Sequence, residues 1–182
     1  YCQLLQLDDM PLLPDHLKIT DIPKMENAEV ADLMARFEPL VKHFNRYLTI
    51  GGFPELALSD DDLYAQRMLR EDVVDKVIKR DVLTLFKVRS PLLMEKLFLY
   101  LCMNSTEIFS ATTAAKELDN ISPNTIESYV DALVKSNLIY MAYPIAVGSK
   151  SVLKGRPKIY IADAAIRNAV LMVDDVLSDE RE

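Results

Sequence analysis

Apolar residues in this chain recur mostly at helical spacing. Over residues 28 to 48, Val30, Leu33, Met34, Phe37, Val41, Phe44 and Leu48 lie three or four apart, the interval that lines one face of an α-helix. Asn27 is a suitable cap for this helix. Pro39 should kink or split it, because proline lacks an N–H and clashes with the preceding turn. Upstream, Pro11, Pro14 and Pro23 stand among leucines and acids, which predicts a short helical stub and an irregular connector over residues 1 to 26. After the break at Gly51-Gly52-Phe53-Pro54, Ser59 followed by Asp62 marks a helix start, with acids 60 to 62 suited to the positive end of the dipole. A long helix to about Leu85, interrupted once, takes its apolar face from Leu63, Met68, Val73, Val77 and Ile78. Ser90-Pro91 opens another, to about Met103, that is apolar nearly all round and so predicted to be buried.

The last third predicts a short helix over Ala111 to Leu118 capped by Ser110, a turn at Asp119-Asn120, and a helix from Ser122-Pro123 to about Ser136. Two strand-like runs follow, Leu138 to Tyr143 and Lys158 to Ile161, then a helix from about Ala164 to Val173. Helices followed by a hairpin are the order of a winged helix-turn-helix. The expected fold is mainly α with a small β-hairpin: a connector (1–26), a helical lid-like subdomain (27–88), a winged-helix domain (89–173) and an acidic tail (174–182).

Composition narrows the function. Of 182 residues, 50% are hydrophobic and 27% charged, an ordinary globular balance, and no apolar run is long enough for a bilayer, so no membrane partner is expected. Cys2 and Cys102 lie far apart, which favours a reducing, cytoplasmic setting over a disulfide framework. The first and last residues read as cuts from a longer polypeptide. The net charge of −7 argues against coating nucleic acid by bulk charge. Even so, residues 148 to 158 hold Lys150, Lys154, Arg156 and Lys158 without an acid.

That basic island sits beside the candidate recognition helix. Ile126, Tyr129, Val130, Leu133 and Val134 share one face of it and must pack inward, leaving Asn124, Ser128, Asp131 and Lys135 outward. Asn124, Thr125 and Ser128 can read base edges, while the four hairpin cations can contact phosphates of duplex DNA. Asp131 stands in the middle of the outward face and opposes phosphate. The alternative is therefore a protein-interaction scaffold without nucleic-acid affinity, with its exposed apolar surface around Phe53 and the first helices.

Catalytic signals are lacking. Gly148-Ser149-Lys150-Ser151 imitates the end of a phosphate-binding loop but lacks the earlier glycine. His16 and His43 have no partners at metal-ligand spacing. Asp72, Asp75 and Asp81 alternate with Arg70, Lys76, Lys79 and Arg80, which reads as a salt-bridged face. The expectation is no catalytic residue, no metal site and no cofactor in this stretch.

Several strings together resemble a family. Tyr47-Leu48-Thr49-Ile50-Gly51-Gly52-Phe53-Pro54-Glu55 resembles a signature of a large prokaryotic AAA+ type ATPase family, and Arg80-Asp81-Val82 resembles its next landmark. Ser122-Pro123-Asn124-Thr125-Ile126 with Tyr129, Leu133 and Asn137-Leu138-Ile139 resembles its winged-helix segment, and Pro157-Lys158-Ile159-Tyr160-Ile161-Ala162-Asp163 resembles the strand closing that segment. Tyr1-Cys2 resembles the tail of the string that ends the ATPase core. The resemblance implies a middle region between a P-loop ATPase core and a C-terminal nuclease-like domain, both intramolecular partners, with ATP and Mg belonging to the full-length protein. It also gives structural roles. Gly51 and Gly52 allow a tight reversal, Phe53 plugs a helix junction beside Pro54, and Glu55 reaches Arg67 or Arg70. Arg80, next to Asp81, is a candidate nucleotide-facing arginine, and Asp163 caps the helix after the strand.

Overall fold

The computed structural model describes residues 1, 3–7, 11, 14–15, 17–86, 88–145 and 155–172. Lys150, Lys154, the Gly148–Ser151 string, Cys2, His16 and the acidic tail lie outside the described residues.

The helix expected over 28–48 is split at Pro39. Helix α1 spans Asn27–Phe37, a 3-10 turn covers Glu38–Leu40, and α2 runs Val41–Ile50. Its start differs from the expectation, because Glu26 rather than Asn27 is the cap residue and the Glu26 N–H donates to the Glu29 carboxylate at 3.1 Å. A short α3, Pro54–Ala57, leads to α4, Asp62–Met68. Asp61, not Ser59, caps α4, its carboxylate accepting the Tyr64 N–H at 2.9 Å. Ser59 instead accepts the Asp61 N–H and so shapes the entry. The predicted long helix does reach Leu85, but it widens to π geometry over Leu69–Asp75 and Val77–Val82 before closing as α5, Leu83–Leu85.

Helix α6, Pro91–Met103, starts where Ser90 accepts the Leu93 N–H at 3.3 Å. It buries Leu93, Met94, Leu97, Phe98, Leu101 and Cys102, yet Leu92 and Met103 are 63% and 62% exposed, so it is not covered on all sides. Ser110 caps α7, Ala111–Glu117, and Ser122-Pro123 opens α8, Pro123–Lys135. Asp119 and Asn120 turn the chain between them in left-handed conformation, a geometry Asn and Asp tolerate better than most residues.

Strands β1, Ile139–Ala142, and β2, Lys158–Ile161, pair antiparallel with Ile139 opposite Ile161 and Tyr140 opposite Tyr160. An antiparallel bridge from Ile108 to Lys158 adds the segment before α7 to the other side of β2. Asp163 then caps α9, Ala164–Leu171, accepting the Ala165 N–H at 2.8 Å as expected. The protein is mainly helical with a small two-stranded antiparallel sheet.

One hydrophobic core runs from the end of α2 through α9. Ile50, Leu56, Ala65 and Leu69 from the first half join Phe98, Leu101, Ile126, Leu133 and Ile159 from the second. Helix α9 closes it, packing on α2, on Leu69–Asp75 and on α6 through Ala165, Ile166 and Ala169. The core is therefore continuous across residue 88, where two subdomains were expected to meet. Buried Asn168 fastens this junction, its side-chain amide donating to the Leu48 carbonyl at 3.0 Å. The carbonyl near the C-terminal end of α2 has lost its intrahelical partner and gains this one instead.

Candidate functional site

Helix α8 faces as its periodicity dictates. Ile126, Tyr129, Val130 and Leu133 are buried, and the Tyr129 hydroxyl accepts the Ser90 N–H at 3.0 Å. Asn124 and Ser128 are exposed, while Thr125 is half-buried. Lys135 is held by Asp131 at 2.6 Å, one turn earlier on the same face, so the one cation of α8 is locally neutralised. Between α8 and the hairpin lies an open groove of about 750 Å³, with Phe109, Val134 and Met141 among its lining and Glu127, Asp131 and Arg156 around it. Lys158 is exposed at the start of β2. The structure thus brings Arg156 to the groove beside the candidate recognition helix, together with Glu127 and Asp131 of that helix, and leaves Lys158 exposed on the hairpin.

The signature string folds as a joint. Gly51 adopts φ +78, a conformation that favours glycine. A Cβ there would lie 3.1 Å from both carboxylate oxygens of Asp163. Gly52 has ordinary backbone angles. A Cβ on it would meet the Tyr47 ring at 3.2 Å, and its N–H donates to Asp163 at 3.2 Å. Phe53 is half-buried and packs against the core just before Pro54 begins α3. Glu55 makes no ion pair with Arg67 or Arg70 among the described residues. It lines a cleft with Phe53, Leu56, Met68 and Asp72 instead.

The expected salt-bridged face is present, with Asp72 to Lys76 at 2.5 Å, Asp75 to Lys79 at 3.1 Å, and Lys79 reaching Glu95 at 3.8 Å. The hydrogen bond and charge of Asp75 raise the Lys79 pKa. Arg80 and Asp81 are exposed and stand outside these pairs. Among the described residues no group of three or more His, Cys, Asp or Glu is arranged to hold a metal. Buried Cys102 has its thiol pushed up to about 12 by desolvation, with nearby Arg167 pulling the other way, so it stays protonated and unreactive near neutral pH.

One feature escaped the sequence. Arg46 is a hub: it donates to Asp62 at 3.0 Å, to the Ala57 carbonyl at 2.7 Å, to the Ser59 carbonyl, and to the Tyr1 hydroxyl at 3.3 Å. Nothing in a lone arginine on an amphipathic helix signals that role. A second feature is an uncovered apolar seam on the first helices, where the protein-interaction alternative expected exposed apolar surface. Val30, Met34, Phe37, Val41, Phe44 and Leu48 alternate in steps of four and three, the spacing of a helix-packing seam. Yet Met34, Val41 and Phe44 are 68%, 52% and 58% exposed. Phe37, Leu40, Val41, Phe44 and Tyr47 line one cleft there, with His43 and Tyr1 at its side.

No helix among the described residues is long and apolar enough to cross a membrane. No solved structure matches the chain. The uncharacterized protein MJ1544 of Methanocaldococcus jannaschii is 25% identical over 153 residues, which cover 81% of this chain and 34% of that protein. The chain therefore spans about a third of the length of the curated relative it matches. A family described as "Domain of unknown function (DUF8612)" matches residues 41–177, three quarters of the sequence, and the chain belongs to that family.

Proposed function

We propose that this chain is the non-catalytic winged-helix region of an AAA+ type ATP-binding protein, and that it works by protein contact, joining the ATPase core to an effector domain. The uncovered seam along α1 and α2 carries the reading: solvent-facing Met34, Val41 and Phe44 at packing periodicity call for a covering helix. The helix, bridge, helix, helix, hairpin order of residues 91–161 supports the winged-helix assignment. The test is hydrogen exchange on the longer archaeal relative, comparing the whole protein with its excised matching segment. Stronger protection of the part equivalent to α2 in the whole protein is expected. Equal protection in both would overturn coupling through this face.

A second reading, contact with duplex DNA through α8 and the hairpin, is favoured by exposed Asn124 and Ser128 on α8 and by exposed Arg156, which lines the groove between α8 and the hairpin. Fluorescence anisotropy of a labelled duplex across a salt series tests it. Binding that weakens steeply with salt and is lost when Lys150, Lys154, Arg156 and Lys158 become alanine supports it. No binding at low salt by a folded sample removes it.

A further inference from the structure

Alternation along the hairpin sorts it into two faces. Ile139 and Ile159 are buried against the helices. Tyr140 and Tyr160 lie directly opposite each other on the other face, 54% and 39% exposed. One pair further along the same face, Lys158 lies opposite Ala142. Arg156 follows two residues upstream, also exposed. Neither Arg156 nor Lys158 enters any ion pair among the described residues, unlike Lys135 of α8.

We infer that this outer face of the hairpin binds single-stranded nucleic acid. Two exposed tyrosines at directly opposed positions of the sheet offer stacking platforms to unpaired bases, and every base has a π-face to place on them. Lys158 and Tyr160 stand roughly 6.7 Å apart along extended backbone, a step that an extended polynucleotide strand can follow. The unpaired cations complement its phosphates. A duplex keeps its base faces inside the stack and leaves the tyrosines unused, so the arrangement favours a single strand. The site lies on the hairpin rather than on α8 and does not depend on the protein-coupling role.

Anisotropy with a short labelled oligothymidine, and with a duplex of equal length, tests the inference on the full chain. Binding to the oligothymidine is expected to weaken about ten-fold in the double variant Tyr140→Ser, Tyr160→Ser, as loss of stacking predicts. The variant Arg156→Ala, Lys158→Ala should flatten the salt dependence. Circular dichroism confirms that these surface variants are folded. No oligothymidine binding at low salt, or equal binding by the wild type and the tyrosine variant, overturns the inference. A preference for duplex that survives in the tyrosine variant and is lost in Asn124→Ala, Ser128→Ala overturns it too, and supports α8 contact instead.

Discussion

The backbone N–H of Gly52 donates to the Asp163 carboxylate at 3.2 Å, across 111 residues of chain. The other oxygen of that carboxylate caps α9 through the Ala165 N–H. One side chain thus ties the glycine loop after α2 to the first turn of the helix that closes the core.

Substitution of Gly51 tests this joint. Gly51→Ala imposes a positive φ on an L-residue and crowds the Asp163 carboxylate at 3.1 Å, and should lower stability by about 1–3 kcal/mol. Asp163→Ala should cost about 1–2 kcal/mol through loss of the cap. Both changes disturb the same contact, so the double variant should cost less than their sum in urea denaturation. Gly52→Ala should be milder, since its backbone angles are ordinary and the Tyr47 ring can shift.

Asn168 makes the second link between the halves. It is 3% exposed, and Asn168→Ala strips the Leu48 carbonyl of its partner. A loss of about 1–3 kcal/mol is expected in thermal or urea unfolding, the cost of an unsatisfied buried acceptor. A change near zero would mean that water replaces the amide.

These two links explain what could be read in advance. Caps at Ser90, Ser110 and Asp163, the split at Pro39, and the inward face of α8 follow from short-range rules of spacing and backbone chemistry. The Gly52–Asp163 and Asn168–Leu48 contacts do not, because they join residues whose proximity exists only after α9 has folded back onto α2. The π widening of Leu69–Val82 was equally hidden, since a change of winding leaves a mixed apolar and charged pattern much as it was. The neutralised Lys135 was half legible: Asp131 was visible on the same face, but not that it would hold the lysine.

Alkaline pH should weaken the fold through Cys102. Its thiol is pushed up to about 12 from 9.0 in the folded state. Between those values the unfolded chain has lost a proton that the folded chain keeps. Stability therefore falls as pH rises through this window, by about 1.4 kcal/mol per pH unit from this group. Cys102→Ala should show a shallower decline than the wild type between pH 9 and 11 in urea titrations. Parallel curves would mean that the buried thiol does not resist ionisation.

Asp131→Asn releases Lys135 from a pair that is exposed on both sides. Such a pair contributes about 0.3–0.5 kcal/mol on a helix, so stability should barely change. If α8 contacts duplex DNA, the freed cation and the lost carboxylate should tighten binding several-fold in the anisotropy titration. Unchanged affinity would place Lys135 outside any contact surface.

The seam along α1 and α2 sets surface against structure most directly. Val41→Ser with Phe44→Ser removes two apolar side chains that are 52% and 58% exposed. Because both remain largely in water in the isolated fold, their loss should cost the chain less than about 1 kcal/mol of stability. Phe98→Ala, at a site 2% exposed, should cost about 3–5 kcal/mol, since it empties a filled core position. The seam variant should also bind less of a hydrophobic dye than the wild type at equal helicity. A seam variant that unfolds as readily as Phe98→Ala would make these residues part of the fold's own support, and the case for a partner helix on α1 and α2 would fall with it.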